Sequence, residues 1–193
     1  SGEGGGSLTD IAKNVIARNK VLYHGHAVAA VAASTPRLAQ EALKAIKVEY
    51  ETLPPVLDVV AAMADASPLV DENNFTNLPE KPENPSNVAN IGRLERGNLE
   101  EGFAAADIVI EREFKCPMAH QGYIEPHACV ANIDETGRGT VWCSTQGHFE
   151  FRSATAKMLN KNIADLKFVA TEIGGGFGGK TVVYLEPLAT MLS

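Results

Sequence analysis

The segment Glu172-Ile173-Gly174-Gly175-Gly176-Phe177-Gly178-Gly179-Lys180-Thr181 decides how the rest of the sequence is read. Five glycines surround one aromatic residue, and a lysine and a threonine follow. Leu166-Lys167-Phe168-Val169-Ala170-Thr171 leads in with the composition of a strand. The apolar run from Val182 to Leu192 leads out and predicts a helix. Glycine has no Cβ, so it reaches positive φ and lets backbone N–H groups come close to a bound group. A strand, a glycine loop and a helix in that order aim backbone donors at an anion, which makes phosphate or pyrophosphate the first ligand class to consider.

One literal match competes for this segment. Gly174-x-x-x-x-Gly179-Lys180-Thr181 satisfies the P-loop pattern of nucleotide-hydrolysing proteins. Such a protein also needs an apolar strand ending in an acidic residue to help hold magnesium. Ala105-Ala106-Asp107-Ile108-Val109-Ile110 carries its aspartate at the wrong end, and no such strand follows Thr181 in this sequence. Asn160-Lys161-Asn162-Ile163 lacks the aspartate that guanine-reading sequences carry. A third reading is a structural module in which the glycines only make a tight turn.

Composition narrows the classes. The 193 residues suffice for one or two small domains, and 45% hydrophobic with 21% charged residues is the balance of a globular chain. A net charge of −7 argues against nucleic-acid binding, which needs a basic stripe. No apolar run approaches the roughly 20 residues of a membrane span. The start Ser1-Gly2-Glu3-Gly4-Gly5-Gly6 is unlike a signal peptide. Cys116, Cys129 and Cys143 form no Cys-x-x-Cys pair, and they read as reduced, buried cysteines of a cytoplasmic protein.

Taken in order, residues 1–7 read as a flexible lead. Ser7 or Thr9 is placed to cap a helix with an apolar face of Leu8, Ile11, Val15 and Ile16. Short strands are expected at 20–23, 28–33 and 47–51. Thr35-Pro36 opens a helix whose core face would be Leu38, Ala42, Leu43 and Ile46. One more short helix is expected within 57–64. The Pro- and Asn-rich stretch 67–86 marks an extended connector. A boundary near residue 80 divides the chain into domains 1–80 and 81–193. In the second, a short helix near Leu99 and Phe103 and a strand over 107–114 precede a strong hairpin signal, 128–134 and 140–144 about the turn 135–139. A helix over 149–159, with Phe151, Ala154 and Met158 on one side, leads to the strand that enters the glycine loop. The fold class is α+β.

Three ordered motifs make the reading specific. Tyr123-Ile124-Glu125-Pro126-His127, then Ser144-Thr145-Gln146, then Ile173 to Lys180 resemble the molybdenum-binding subunit of the xanthine dehydrogenase and aldehyde oxidase family. Val21 to Ala33, and Val48-Glu49-Tyr50-Glu51-Thr52-Leu53-Pro54-Pro55-Val56-Leu57-Asp58, resemble that family's hammerhead domain. The likeness runs from about residue 20 to the end of the sequence.

The resemblance implies a partial hammerhead domain followed by the first part of a molybdopterin-binding domain, in a fragment or split subunit. It implies a molybdenum hydroxylase acting on an aldehyde or aromatic heterocycle, with molybdenum held by a pterin, in some members as a cytosine dinucleotide. Electrons would leave through iron–sulfur and FAD centres on partner domains or subunits. Carried over by match, the Gln146 amide lies beside an oxo ligand of molybdenum and the Phe177 N–H lies near the metal. Gly175, Gly176, Gly178 and Gly179 frame that loop. Neither Gln146 nor Phe177 ligates the metal, and His24, His26, His120, His127 and His148 need not be ligands. Glu125 is expected to fix its loop by accepting backbone N–H groups; Lys180 either reaches a cofactor phosphate or is solvated. Thr181 stands where some purine-oxidising members carry glutamate. The family's general base lies C-terminal to this loop, so no catalytic residue is expected here and the isolated chain is expected to be inactive.

Overall fold

A computed structural model describes residues 8–193, with side chains described from Ile11 onward. The flexible lead read into residues 1–7, and the capping assigned to Ser7 or Thr9, lie outside the described side chains. The chain divides into two compact units: the described residues up to Glu49 together with Ala119–Ser193, and Tyr50–Met118.

The first unit is built on a three-stranded sheet. Strands β1 (Cys129–Ile133) and β2 (Gly139–Cys143) form an antiparallel hairpin, and β3 (Leu166–Ala170) pairs parallel to β2. The hairpin forms where the turn residues favour it. The Asp134 carboxylate accepts hydrogen bonds from Thr136 N–H, Thr136 Oγ1 and Arg138 N–H at 2.8, 2.6 and 3.1 Å, and Gly137 takes the left-handed conformation at φ +83°. Two residues on, Gly139 passes so close to the partner strand that an added Cβ would lie 2.0 Å from the Asn132 carbonyl oxygen.

Helices seal this sheet. Beside α1 (Leu8–Val15) stand α5 (His148–Met158), which follows β2 and packs on β3, and α6 (Glu186–Leu192), which packs on β1 and α5. Between them Val15, Val141, Cys143, Phe151, Ala156, Leu166, Phe168 and Val183 form the buried core. The α5 face follows the expected spacing: Phe151 is buried, and Ala154 and Met158 pack against the core. At the C-terminal end of α1, His26 Nδ1 accepts the Leu22 N–H at 3.2 Å, which leaves Nε2–H to donate to the Lys13 carbonyl at 2.7 Å. This histidine is a helix-end partner.

Helix α2 (Pro36–Ala45) starts as expected, with the Thr35 hydroxyl accepting the Leu38 N–H at 3.2 Å. Its apolar face is not part of the described core; Leu38, Leu43 and Ile46 are exposed. The segments 20–23, 28–33 and 47–51, expected as strands, likewise form no ladders. A strand exists only through a paired neighbour, and these segments have none among the described residues.

The second unit holds α3 (Val59–Ala62) and α4 (Leu99–Ala104), capped by Asp58 and Asn98. The Pro- and Asn-rich stretch is organised by side-chain amides. Asn87 accepts the Val70 N–H and donates to the carbonyls of Ala62 and Pro68. Residues 107–114, expected as a strand, have no ladder partner among the described residues, and Ile108, Ile110 and Phe114 are exposed. Cys116 is exposed, which corrects its reading as buried, whereas Cys143 is buried and Cys129 partly so. Burial pushes the Cys143 thiol up to about 12 and Cys129 to about 11, so both are protonated at neutral pH. No helix among the described residues is long and apolar enough to cross a membrane.

Candidate functional site

Three separate stretches meet at one end of the sheet: the irregular segment 121–127 that precedes β1, the residues Ser144 to Gly147 that leave β2, and the glycine loop 172–181 that leaves β3. In the first, Tyr123, Glu125 and His127 are partly buried while Ile124 and Pro126 between them are exposed. Tyr123 packs against the loop so closely that a Cβ at Gly175 would lie 3.1 Å, and one at Gly179 2.5 Å, from its side chain. Its hydroxyl lies 3.0 Å from His127 Nε2, and the His127 ring makes an edge contact with Tyr184 at 5.5 Å. Burial, with help from Lys180 and His120, lowers the His127 pKa and favours a neutral ring.

Glu125, midway between them, receives three donors on one oxygen. Lys180 Nζ donates at 2.6 Å, the Ser144 hydroxyl at 2.6 Å and the Gly174 N–H at 2.8 Å. These bonds, the lysine foremost, hold its carboxyl down at about 2. The expectation that Glu125 fixes the loop through a backbone N–H is what the Gly174 contact provides.

Lys180 is not where either expectation put it. Its side chain is 0% exposed, with Nζ also donating to Ser144 Oγ at 2.9 Å and lying 5.2 Å from the centre of the Tyr123 ring. It is neither solvated nor extended toward a phosphate. The helix after the loop begins only at Glu186, so no helix N-terminus follows Lys180-Thr181 directly. Both features depart from a P-loop, in which the lysine must reach phosphate and the helix must start at the loop.

Gln146 and the loop hold one another. The Gln146 carboxamide oxygen accepts the N–H groups of Gly178 and Lys180 at 3.0 and 3.2 Å. Its main-chain N–H donates to the Lys180 carbonyl at 2.9 Å. With the oxygen occupied by two donors, the amide orientation is fixed and its NH₂ remains a donor group. A Cβ on Gly176 would come within 2.5 Å of that oxygen, so the loop backbone lies directly on the amide. Phe177, at the loop apex, is a non-glycine residue at φ +49°, 73% exposed. Its N–H has no hydrogen-bond partner among the described residues. The Gly179 N–H closes the turn onto the Gly176 carbonyl at 2.7 Å, and Thr181 Oγ1 donates to the Gly178 carbonyl at 2.9 Å.

The structure thus brings Gln146, Gly176, Gly178 and Gly179 into one clamp, with Gly175 and Phe177 on its outer turn. Sequence reasoning missed Tyr123 as a packing template and Ser144 as a bridge between Glu125 and Lys180. The available signal was spacing: Tyr123, Glu125 and His127 stand two apart and are the partly buried residues of this stretch. Chemically, the arrangement offers neutral amide donors at an exposed turn, supported by an ion pair whose lysine is buried and whose carboxylate is partly exposed.

A family model described as the molybdopterin cofactor-binding domain matches residues 80–193. A second, the a/b hammerhead domain of aldehyde oxidase and xanthine dehydrogenase, matches residues 2–54. The nicotinate dehydrogenase large molybdopterin subunit of Eubacterium barkeri is 35% identical over 162 residues, covering 84% of this chain and 35% of that protein. The xanthine dehydrogenase/oxidase of Mus musculus is 32% identical over 194 residues, 98% of this chain and 13% of the relative. Among solved structures, quinoline 2-oxidoreductase of Pseudomonas putida 86 matches with a TM-score of 0.64 at 25% identity, covering 83% of this chain and 20% of that one. The Cu,Mo-CO dehydrogenase matches with a TM-score of 0.63 at 26% identity, over 81% and 21% of the two chains. The chain spans about a third or less of the length of each of these proteins.

Proposed function

Because the chain belongs to the molybdopterin cofactor-binding domain family, we propose that it forms part of the cofactor site of a molybdenum hydroxylase. The observation that carries this is the Gln146 clamp. Its amide oxygen is held by the Gly178 and Lys180 N–H groups, which leaves the NH₂ free to donate. Together with the Phe177 N–H, which has no partner among the described residues, this makes a set of preorganised neutral donors, suited to an oxygen that carries negative charge.

When bound, the molybdenum cofactor supplies oxidative hydroxylation of an electron-poor carbon, with two electrons passed on. This chain's part is to orient. Gln146 and Phe177 present donors, Gly175, Gly176, Gly178 and Gly179 keep the backbone close, and Tyr123 and Glu125 hold the loop's shape. The general base and most substrate contacts come from residues outside this sequence, in the remainder of the molybdenum subunit. Iron–sulfur and FAD partners would accept the electrons in the cytoplasm.

The substrate class in this reading is an aldehyde or aromatic heterocycle. Relatives named for nicotinate and xanthine, and a structure named for quinoline, support the heterocycle. A domain boundary near residue 80 is part of the same reading; the cofactor-domain model's match begins there, within the compact unit Tyr50–Met118.

Molybdenum and pterin analysis of the native assembly containing this chain tests the proposal. The expected result is one molybdenum per chain, reduced by Gln146→Ala. A native assembly without molybdenum overturns it. Purified isolated chain, assayed with an artificial electron acceptor, is expected to show no turnover.

A further inference from the structure

Lys180 is the residue that a nucleotide-binding loop would extend toward phosphate. Here its ammonium is committed to Glu125 and Ser144, and its side chain is fully buried. Its main chain does something separate. The N–H donates to the Gln146 carboxamide oxygen at 3.2 Å, and the carbonyl accepts from the Gln146 N–H at 2.9 Å and from Thr145 Oγ1 at 3.3 Å. Both the backbone and the amide of Gln146 are therefore referenced to Lys180.

A buried ammonium must be neutralised. The carboxylate that does so, Glu125, also accepts the Gly174 N–H. One carboxylate oxygen thus pins the loop at its first glycine and at its lysine, on either side of Phe177. Stability alone is a poor reason for such a pair, since well-packed apolar residues of similar volume often serve as well. Directional bonds and a fixed register are what a charged pair adds.

We infer that the Lys180–Glu125 ion pair is a positioning pair, setting the Gln146 carboxamide for the molybdenum cofactor without touching the cofactor itself. This rests on the reading that the site takes that cofactor.

The test compares the native assembly carrying Lys180→Met, Glu125→Gln or Ser144→Ala with a core control, Val141→Ala, which lies outside the site. Molybdenum per chain, the electron paramagnetic resonance spectrum of the retained molybdenum and the thermal midpoint are measured for each. Lys180→Met is expected to lower molybdenum content about ten-fold, the lower end of what losing an outer-shell partner costs. The spectrum of the remainder is expected to shift. Ser144→Ala, which keeps both charges, moves the same readouts in the same direction by less, and decides the matter if Lys180→Met does not fold. Val141→Ala lowers the midpoint and leaves the molybdenum spectrum unchanged. Wild-type molybdenum content and spectrum in the Lys180 and Ser144 variants overturn the inference, as does the same spectral shift in Val141→Ala. Absence of molybdenum from the wild-type assembly overturns the cofactor reading itself, and the inference with it.

Discussion

Lys180 Nζ lies 2.6 Å from Glu125 Oε2, with the lysine side chain wholly excluded from solvent and the carboxylate 33% exposed. The two residues come from different stretches, one before the hairpin and one after β3. Their pairing ties the entry of β1 to the exit of the glycine loop, and Ser144 at the end of β2 bridges them. Three strand ends are thereby locked by one carboxylate.

That lock responds to acid with a defined sign. The Glu125 carboxyl is lowered from 4.5 to about 2 by its three donors. A group with a depressed folded-state pKa contributes stability that is fully present above its unfolded value and is lost as pH falls through the folded one. The contribution of Glu125 is therefore complete at neutral pH, declines from about pH 4.5, and is gone below about pH 2. Glu125→Gln is expected to be less stable than wild type at pH 7, with the difference shrinking steadily between pH 4.5 and 2. Denaturant titrations of both proteins across that window check it; a difference independent of pH would contradict the assigned role.

Two loop glycines separate steric need from backbone need. At Gly178 an added Cβ meets nothing within 4 Å, but φ is +88°, so alanine there costs about 1–2 kcal/mol of left-handed strain. At Gly176 no positive φ is required, but the Cβ would fall 2.5 Å from the Gln146 carboxamide oxygen. Gly178→Ala should lower stability, with a loss of cofactor content no larger than its effect on melting explains. Gly176→Ala should displace Gln146 and lower cofactor content more than its effect on melting would suggest. Molybdenum analysis alongside thermal melts of the native assembly distinguishes the two; equal losses of cofactor in both would count against the Gln146 clamp.

The difference between what was legible in the sequence and what was not follows from the range of the interactions. The hairpin at Cys129–Cys143, helix α5 and strand β3 were readable because turn residues and local periodicity fix them. The segments 28–33 and 107–114 have a β-like composition yet form no strands. Ladders are tertiary, and no partner strand stands beside these segments among the described residues. At the site, motif order singled out Gln146 and the glycines, and the structure sets them against one another. Lys180 was not, because lysine is almost never fully buried unless paired. Its partner stands 55 positions away, a separation that local pattern does not span.

One internal feature predicts a stabilising change. Thr155 on α5 is 0% exposed and Thr190 on α6 is 3% exposed, and neither hydroxyl has a hydrogen-bond partner among the described residues. A buried polar group left unpaired costs roughly 1–3 kcal/mol relative to one that is satisfied. Valine keeps the β-branched shape and replaces the hydroxyl with a methyl group, which removes that cost and adds apolar contact with the core. Thr155→Val is expected to raise stability by about 1 kcal/mol, and Thr190→Val to act in the same direction. Urea denaturation should show a higher midpoint with an unchanged slope, since the surface exposed on unfolding is nearly the same. A lowered midpoint for Thr155→Val would mean that the hydroxyl has a partner in solution, and that the α5–α6 packing around it is wetter than the contacts of Phe151 and Ala156 imply.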